Sequence, residues 1–375
     1  MDWEVLARLP KAVVRRHGRF IVVDLNDDHR VISTSAINGG EVEDLRHLVN
    51  HQCCEGKDHN DRFHILVAKG DDFYHQTVCA EIGLPPANTA MMATAANMNY
   101  AAWAARRDDD VEVVAVVTAG VETNAVCAGD PAMSRETSAG VVSAVPVGTI
   151  NTILLSNMPL TRGALARTVI TMVEAKSAAL QRLASPSCYS TDLATGTGTD
   201  QYCVAAPLEG PRILKSASPH MKFGEIVGLA VRDATLEALR WQNGLEASYT
   251  RGLFHALGRY GIKEKTIYDR LSAVLDPASL ELLRKNNKSI FYEPLVGAAA
   301  HATAAVLDRT RFGTLPSAVA KDAVVQQAAS LAASLAAKPD RWPHFRAVLH
   351  GIAVDEPVDL IIHAIALGWS EKWKV

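Results

Sequence analysis

The sequence predicts a mixed α+β fold, in which a mixed β-sheet is packed with helices, followed by an all-α unit. Two apolar runs, Val111–Val117 and Ile150–Leu155, are typical of strands covered on both faces. Strand-like runs become rare from Pro219 onward, where amphipathic helical spacing takes over. The chain of 375 residues also exceeds the usual size of one domain. We therefore predict an α/β domain over residues 1–244 and a helical domain over residues 245–375.

Overall charge and composition narrow the class of protein. The 38 basic and 41 acidic residues give a formal net charge of -3, so no nucleic-acid partner is expected. No segment has the apolar run of a signal peptide or approaches the roughly 18 apolar residues of a spanning helix. The six cysteines show no CxxC spacing, which favours reduced thiols. We expect a cytoplasmic protein without a membrane span.

The N-terminal half mixes strand-like and helical segments. Arg19–Leu25 and Val31–Ser35 are β-rich runs that flank a turn-forming Asn-Asp-Asp-His sequence, so a hairpin is predicted. Another short strand is predicted over Phe63–Ala68. Helical patterns come next over Asp72–Glu81 and Ala90–Ala105, which favours a mixed sheet with helices packed on it.

A long helix is predicted from the capping residue Thr161 to about Leu183. With about 100° between successive residues, its apolar side chains form one stripe, and Lys176 lies in the middle of that stripe. Glu174 points to the other side of the helix, so the two cannot act together on one ligand. The stem of Lys176 either snorkels to the helix edge, or its ammonium binds a ligand or pairs with a buried acid.

The C-terminal third is predicted to be helical throughout. An amphipathic helix begins after Pro219, and further helices alternate with Gly or Pro breaks. These helices are predicted over Glu246–Tyr260, Lys263–Val274, Pro277–Lys285, Pro294–Leu307, Ser317–Ala337 and Asp355–Leu367. We expect this unit to serve in oligomerisation, which would make the protein a homo-oligomer, or as a lid.

The first candidate site segment begins after the buried strand that ends at Val117. Thr118 and Gly120 lie directly after it, where α/β folds place ligands, at the carboxyl ends of strands. Asn124 and Asp130 lie further along the same loop. A carboxylate can take a proton from water and a carboxamide can stabilise an oxyanion, as amide hydrolysis requires. An equally good interpretation is that both residues cap turns or helices.

The second candidate segment is a glycine–threonine ribbon, Ala194–Gln201. Thr195, Thr197 and Thr199 alternate with small residues, so an extended chain would place their hydroxyls on one face. The ribbon lacks the lysine of a GxxxxGK[ST] phosphate loop and does not match GxGxxG opening a helix. A nucleotide-dependent enzyme is therefore the weaker interpretation. Asp200 closes the ribbon and either faces the site or caps the next element.

Other catalytic chemistries have less support in the sequence. No HxH or HExxH pattern appears, so no metal site is predicted. His51 is the histidine of most interest, whereas His220 does not match the DxHxxG box of an axial cobalt ligand. Cys127 has no neighbouring base, which makes it a poor nucleophile. Direct attack by water, activated by a carboxylate, is the preferred mechanism.

Three segments in this order and spacing resemble the adenosylcobinamide amidohydrolase family: Val117–Pro131, Gly148–Leu155 with Glu174–Lys176, and Ala194–Gln201. The resemblance extends over roughly Arg19–Gln242 and includes Ser33–Gly40, Asn50–Gln52, Met92–Ala96 and Gly224–Gly228. It implies hydrolysis of the amide that joins the corrin ring's f side chain to aminopropanol, which gives adenosylcobyric acid in cobamide salvage. It implies no cofactor, because the corrinoid is the substrate.

The candidate site residues are the polar and glycine residues at matched positions. Catalytic roles are expected for Asp200, Asp130 and Asn124. Substrate binding is expected from Asn38, Gly39, Gly40, His51, Thr118, Gly120, Thr149, Asn151, Lys176, Thr195, Thr197 and Thr199. The alternative function is a corrinoid-binding or regulatory protein that has the pocket without the chemistry.

Overall fold

The computed structural model describes residues 2–54, 66, 68–138, 140–143, 148–354 and 356–374. The chain divides into two units, Met1–Leu245 and Glu246–Val375. The strand predicted over Phe63–Ala68 lies outside the described residues, apart from Leu66 and Ala68.

The described part of the first unit contains fifteen strands and three α-helices. The strands are β1 (Glu4–Leu9), β2 (Ala12–His17), β3 (Phe20–Leu25), β4 (His29–Ser33), β5 (Gly40–Val42), β6 (His47–Gln52), β7 (Thr89–Thr94), β8 (Ala102–Asp108), β9 (Val111–Ala119), β10 (Ala125–Val126), β11 (Ser134–Thr137), β12 (Gly140–Ser143), β13 (Ile150–Ser156), β14 (Gly196–Thr197) and β15 (Gln201–Pro207). The helices are α1 (Asp71–Ile82), α2 (Arg162–Arg182) and α3 (Lys222–Asn243).

Eleven of these strands form two mixed sheets, which confirms the predicted fold class. One sheet has the order β1-β2-β3-β6-β7 and the other β5-β4-β15-β13-β9-β8. Neighbouring strands are antiparallel, except for the parallel pairs β6–β7 and β13–β15. The four short strands pair as β10–β14 and β11–β12.

The two sheets stack face to face between helices. Side chains from both sheets, including Val23, Met92 and Val116, share one apolar cluster between them. Helices α2 and α3 cover the other face of the six-stranded sheet, where Val117 packs in a cluster with Val227. Helix α1 covers the outer face of the five-stranded sheet. Strand β9 is apolar along most of its length because it is buried on both of its faces.

The long helix α2 begins as the sequence predicts. The Thr161 side chain caps it by accepting a hydrogen bond from the backbone N–H of Ala164 at 3.2 Å. Glu174 is exposed and lies 3.8 Å from Arg167, on the side away from the sheet. Helix α3 likewise buries the predicted apolar face, which comprises Phe223, Ile226, Val227, Ala230 and Ala234.

The predicted hairpin between Arg19–Leu25 and Val31–Ser35 is wrong. Both strands exist, but β3 pairs with β2 and β6, whereas β4 pairs with β5 and β15 in the other sheet. The chain crosses between the sheets here because Leu25 and Val31 both become buried in the cluster between them. The actual hairpin is β2–β3, whose two-residue turn uses Gly18 at a φ of 51°.

The helix predicted over Ala90–Ala105 is also wrong. The segment forms β7, a 3-10 turn at Met98–Tyr100 and β8. Alanine and methionine favour helices as isolated residues, but Ala90 and Met92 fill the space between the two sheets. Pairing with β6 and burial in the core outweigh that local preference.

The second unit is helical in its described part, as predicted. Its α-helices are α4 (Ala247–Thr250), α5 (Leu253–Leu257), α6 (Ile267–Leu271), α7 (Pro277–Lys285), α8 (Asn287–Phe291), α9 (Pro294–Arg311), α10 (Ser317–Ala336), α11 (Trp342–His350) and α12 (Pro357–Glu371). Helices α10 and α12 approach closely, since a methyl group on Gly368 would lie 2.6 Å from the Ala332 carbonyl oxygen. Among the described helices of the whole chain, none combines the length and apolarity needed to cross a membrane.

Candidate functional site

Both carboxylate oxygens of Asp200 are bound by the protein. Oδ1 accepts hydrogen bonds from Ile150 N at 3.0 Å and Thr197 Oγ1 at 2.6 Å. Oδ2 accepts from Thr197 N at 3.1 Å and forms an ion pair with Lys176 Nζ. A carboxylate has about four lone-pair positions, so this one has little capacity left for a water molecule. The geometry favours a positioning role for Asp200 over a role as the base.

Lys176 and Asp200 meet against the backbone of the ribbon. The Lys176 side chain is 12% exposed, and its ammonium pairs with an acid, which is one of the roles predicted for a lysine in an apolar stripe. A methyl group on Gly196 would lie 2.3 Å from Asp200 Oδ2 and 2.6 Å from Lys176 Nζ. The ion pair therefore needs glycine at position 196.

The glycine–threonine ribbon is extended only over Gly196–Thr197, which pairs with β10, and it turns at Gly198–Thr199. Its hydroxyls bind other parts of the chain and do not form the predicted single row. Thr195 Oγ1 accepts from Ala128 N at 2.9 Å, and Thr199 Oγ1 donates to the Gly148 carbonyl at 2.7 Å. These bonds fix the ribbon against its two neighbouring loops and leave the turn at Gly198–Thr199 exposed.

Asn124 connects the same loops from a buried position. Its Nδ2 donates to the Gly148 carbonyl at 2.8 Å and to Thr199 Oγ1 at 3.3 Å. Its Oδ1 accepts from the Tyr189 hydroxyl at 3.1 Å. Gly198 packs against it, since a methyl group there would lie 3.2 Å from Asn124 Oδ1. Tyr189 was not among the predicted residues because it lies outside every recognised segment.

Asp130 is partly exposed at the end of the first loop. Its Oδ2 accepts from Cys127 N at 2.8 Å and from Ser187 Oγ at 2.6 Å. Partial desolvation raises the pKa of this carboxyl, but hydrogen bonds from Ser187, Ser190 and Cys127 N outweigh it and the net pKa is lowered. Asp130 thus organises its loop, and it is ionised at neutral pH.

A buried hydrogen-bond network joins the two sheets beneath these loops. Asn50 on β6 donates from Nδ2 to Thr118 Oγ1 on β9 at 2.8 Å. Asn151 on β13 donates from Nδ2 to Asn50 Oδ1 and to the Ala93 carbonyl, both at 2.9 Å. Asn50 was missed as a site residue, although it belongs to the recognised Asn50–Gln52 segment.

The network continues to the ribbon. Thr149 Oγ1 donates to the Thr199 carbonyl at 2.6 Å and lies 3.2 Å from Asn151 Oδ1. Gln201, which was also missed, accepts from Ala93 N at 2.9 Å through Oε1. Thr149 and Asn151 thereby link the core between the sheets to the candidate site.

The site lies at mixed strand ends, and the loop that begins at Thr118 is at a carboxyl end, as expected. Thr118 is at the carboxyl end of β9, and Gly120 N donates to the Thr149 carbonyl at 2.9 Å just beyond it. Asn151 is at the amino end of β13 because β9 and β13 are antiparallel and place Thr118 opposite Asn151. The parallel-sheet rule does not transfer to this sheet.

Asn38, Gly39 and Gly40 form a corner whose visible role is structural. Asn38 has a φ of 56°, and its Nδ2 donates to the carbonyls of Pro86 and Thr89 at 2.8 Å each. A methyl group on Gly39 would lie 1.9 Å from the Ser35 carbonyl oxygen, and Gly40 has a φ of 79°. This corner is therefore held to β7 and its preceding turn, with no direct bond to Asp200 or Asn124 among the described contacts.

His51 is fully buried in the five-stranded sheet. It stacks on Phe20 with ring centroids 4.9 Å apart, and its Nδ1 lies 2.6 Å from the Tyr74 hydroxyl. A cavity of about 240 Å³ beside it is lined by Tyr74, Ser35 and Gln201, among others. His51 thus supports the wall of a small cavity that touches the network, and its ring packs as a core side chain.

The described residues contain no group of three or more His, Cys, Asp or Glu side chains arranged to hold a metal ion. Ten of the predicted site residues come together around the two loops and the ribbon. They are Asp200, Lys176, Asn124, Thr118, Gly120, Thr149, Asn151, Thr195, Thr197 and Thr199. Asp130 joins them through the Cys127–Ala128 turn.

The sequence matches a model of the adenosylcobinamide amidohydrolase family over residues 7–247. The uncharacterized protein MJ1613 of Methanocaldococcus jannaschii is 34% identical over 183 residues, which are 46% of this chain and 71% of that protein. Among solved structures, the PH0078 protein from Pyrococcus horikoshii OT3 is 12% identical, covering 63% of this chain and 82% of that chain with a TM-score of 0.31.

Proposed function

Because the chain belongs to the adenosylcobinamide amidohydrolase family, we propose that it hydrolyses the amide between the corrin ring's f side chain and aminopropanol. The products are adenosylcobyric acid and free aminopropanol, as cobamide salvage requires. The observation that carries this proposal is the family match over residues 7–247, which includes every residue of the candidate site. We assign the activity to the first unit because the match ends within two residues of its boundary.

The proposed reaction is direct attack by water. The water oxygen bonds to the amide carbon while a carboxylate takes one of its protons, which gives a tetrahedral oxyanion. The carbon–nitrogen bond then breaks, and the proton passes to the leaving nitrogen, so that an acid and an amine are released. Each step balances without a cofactor, and the corrinoid takes part only as the substrate.

Asp130 is our preferred base. It is partly exposed and ionised at neutral pH, whereas the acceptor positions of Asp200 are occupied by Ile150 N, Thr197 and Lys176. We assign Asp200 and Lys176 the task of holding the ribbon in place. Small displacements of a reacting group cost large factors in rate, so such positioning contributes to catalysis indirectly.

The exposed turn at Gly198–Thr199 is the proposed contact with the substrate amide. A corrin ring is bulky, and an exposed turn can receive one of its side chains while the ring stays outside. Asn124 lies against Gly198 and carries the carboxamide proposed to act on the oxyanion. Both the oxygen and the nitrogen of its carboxamide are hydrogen-bonded to the protein in this structure. To act on the oxyanion, Asn124 must therefore replace one of these hydrogen bonds with a hydrogen bond to the substrate.

The second candidate is a corrinoid-binding protein without catalysis. The observation that favours it is the extent to which Asp200, Asn124 and the threonine hydroxyls already bind the protein itself. Incubation of the purified chain with adenosylcobinamide, followed by mass spectrometry, separates the two functions. Appearance of adenosylcobyric acid supports the hydrolase, whereas saturable binding without product, with or without divalent metal, supports the binding protein.

A further inference from the structure

The helical second unit contains a cavity of about 470 Å³ for which the proposed hydrolysis has no use. Its volume lies within the range of about 300–1,000 Å³ that is typical of small-molecule sites. The walls are largely apolar and include Ile290, Val296, Ala333 and Trp342. The family match ends at residue 247, so the proposed activity gives no reason for a cavity in this unit.

The polar lining of the cavity consists of the Glu293 carboxylate, the Lys372 ammonium and three serine hydroxyls. Glu293 caps helix α9, where its Oε2 accepts from Val296 N at 2.9 Å, which uses one of about four lone-pair positions on the carboxylate. Leu335, in the last turn of α10, also lines the cavity. The last-turn carbonyls of Ala333, Ser334 and Leu335 already accept hydrogen bonds from Lys338 N, Ala337 N and Lys372 Nζ. The open acceptor positions of the cavity are therefore those of the Glu293 carboxylate.

The cation that lines the cavity is already engaged. Lys372 Nζ donates to the Leu335 carbonyl at 3.0 Å, so part of its donor capacity is spent on the helix end. Of the two charged groups in the lining, Glu293 therefore keeps more open hydrogen-bonding positions than Lys372 does. At the rim, Leu295 is 66% exposed and would lose contact with water if an apolar group covered it.

We propose that this cavity binds a small amphipathic primary amine, with its apolar chain against Ala333 and Trp342 and its ammonium at Glu293. An ammonium supplies three donors, which match the open lone pairs of the Glu293 carboxylate. The apolar chain displaces water from walls that have few hydrogen-bonding groups for a water molecule. The site is independent of the corrinoid, so it stands or falls separately from the proposed hydrolysis.

Isothermal titration of the full chain with octylamine, octanol and octanoate tests the proposal. Octylamine, octanol and octanoate have the same alkyl chain and differ only in the polar group. Octylamine should bind at least tenfold more tightly than octanoate, because only its ammonium can pair with the Glu293 carboxylate. Binding should also tighten by about fourfold for each methylene from pentylamine to octylamine. Equal or tighter binding of octanoate, or no saturable binding by any of the three, would overturn the proposal.

Three variants localise the binding. Glu293→Gln keeps an oxygen for the helix cap and should weaken octylamine at least tenfold while changing octanol less than twofold. Ala333→Phe fills the cavity and should abolish binding of both octylamine and octanol. If the Ala333→Phe variant does not fold, the Glu293→Gln variant alone decides the test. The control is Glu281→Gln, which removes an exposed carboxylate of the same unit and should leave every affinity unchanged. Octylamine binding that survives Glu293→Gln would contradict the assignment.

Discussion

Lys176 on α2 and Asp200 at the end of the ribbon form an ion pair that is largely withdrawn from water, with side chains 12% and 18% exposed. Asp200 also accepts a hydrogen bond from Ile150 N, the first residue of β13. One carboxylate thus joins a helix, a central strand and the glycine–threonine ribbon. Lys176, Ile150 and Asp200 all lie within the segments that carry the resemblance to the family.

Loss of this ion pair should destabilise the first unit. Lys176→Met leaves a partly buried carboxylate without its cation and should lower the free energy of unfolding by about 2–4 kcal/mol. Urea unfolding measures the change. Lys222→Met is the matched control, because the side chains of Lys222 and its partner Glu225 are both about half exposed. This substitution should lower the free energy of unfolding by less than about 0.5 kcal/mol. Equal effects of the two substitutions would show that the buried pair is energetically unimportant.

Gly196→Ala should disrupt the site through its added methyl group. That group would lie 2.3 Å from Asp200 Oδ2, so the carboxylate or the ribbon has to move. We expect at least about a tenfold loss in kcat for adenosylcobinamide hydrolysis. Gly163→Ala adds the same methyl group to helix α2, where no atom lies within 4 Å, and should retain full activity. Normal turnover by Gly196→Ala would contradict the positioning role of the ion pair.

Asp130→Asn tests the proposed base. Removing a general base should lower kcat by about 100-fold or more with little change in substrate affinity. Steady-state kinetics with adenosylcobinamide, together with circular dichroism to verify the fold, provide the measurement. Asp72→Asn, an exposed residue on α1, is the control for a changed surface charge. A larger loss of kcat in Asp200→Asn than in Asp130→Asn would transfer the role of base to Asp200.

The pH profile gives an independent test of the same assignment. Desolvation opposes ionisation of Asp130, but hydrogen bonds from Ser187, Ser190 and Cys127 N outweigh it and lower the pKa of this carboxyl below its ordinary value of 3.8. A base with a lowered pKa stays ionised above that value and becomes protonated only as the pH falls through it. The acid limb of kcat/KM, which reports the free enzyme, should therefore lie below pH 3.8, and Asp130 should cause no change between about pH 5 and 8. An acid limb near neutral pH that disappears in Asp130→Asn would contradict this.

The buried network should stabilise the packing of the two sheets. Asn50→Ala deprives Thr118 and Asn151 of a hydrogen-bond partner in a site without access to bulk water. We expect the free energy of unfolding to fall by about 1–3 kcal/mol for each group left unsatisfied. Urea unfolding again gives the value, with Asn99→Ala, in the exposed 3-10 turn, as the control. A loss no larger than that of the control would mean that the network adds nothing to stability.

The sequence predicts the elements whose pattern has one physical interpretation. Val111–Val117 is apolar at almost every position because two layers cover it, and Thr161 can cap only a helix that begins directly after it. Prediction fails where distant partners decide the structure. Ala90–Ala105 has helical composition, yet pairing with β6 and burial between the sheets make its first part a strand.

The sequence predicts which residues belong to the candidate site better than it predicts their roles. Asp200, Lys176 and Asn124 could be selected from their segments, and the structure brings them to the same loops. Their hydrogen-bond partners could not be predicted, because those depend on antiparallel pairing of distant strands. Tyr189, outside any recognised segment, gave no signal in the sequence.

The most direct test of the account is hydrolysis of adenosylcobinamide by the purified chain in water enriched in oxygen-18. Mass spectrometry then detects both products. Water attack predicts adenosylcobyric acid with one heavy oxygen in its new carboxylate, together with an equal amount of unlabelled aminopropanol. Bound substrate that stays intact, or adenosylcobyric acid without the label, would contradict the proposed amide hydrolysis.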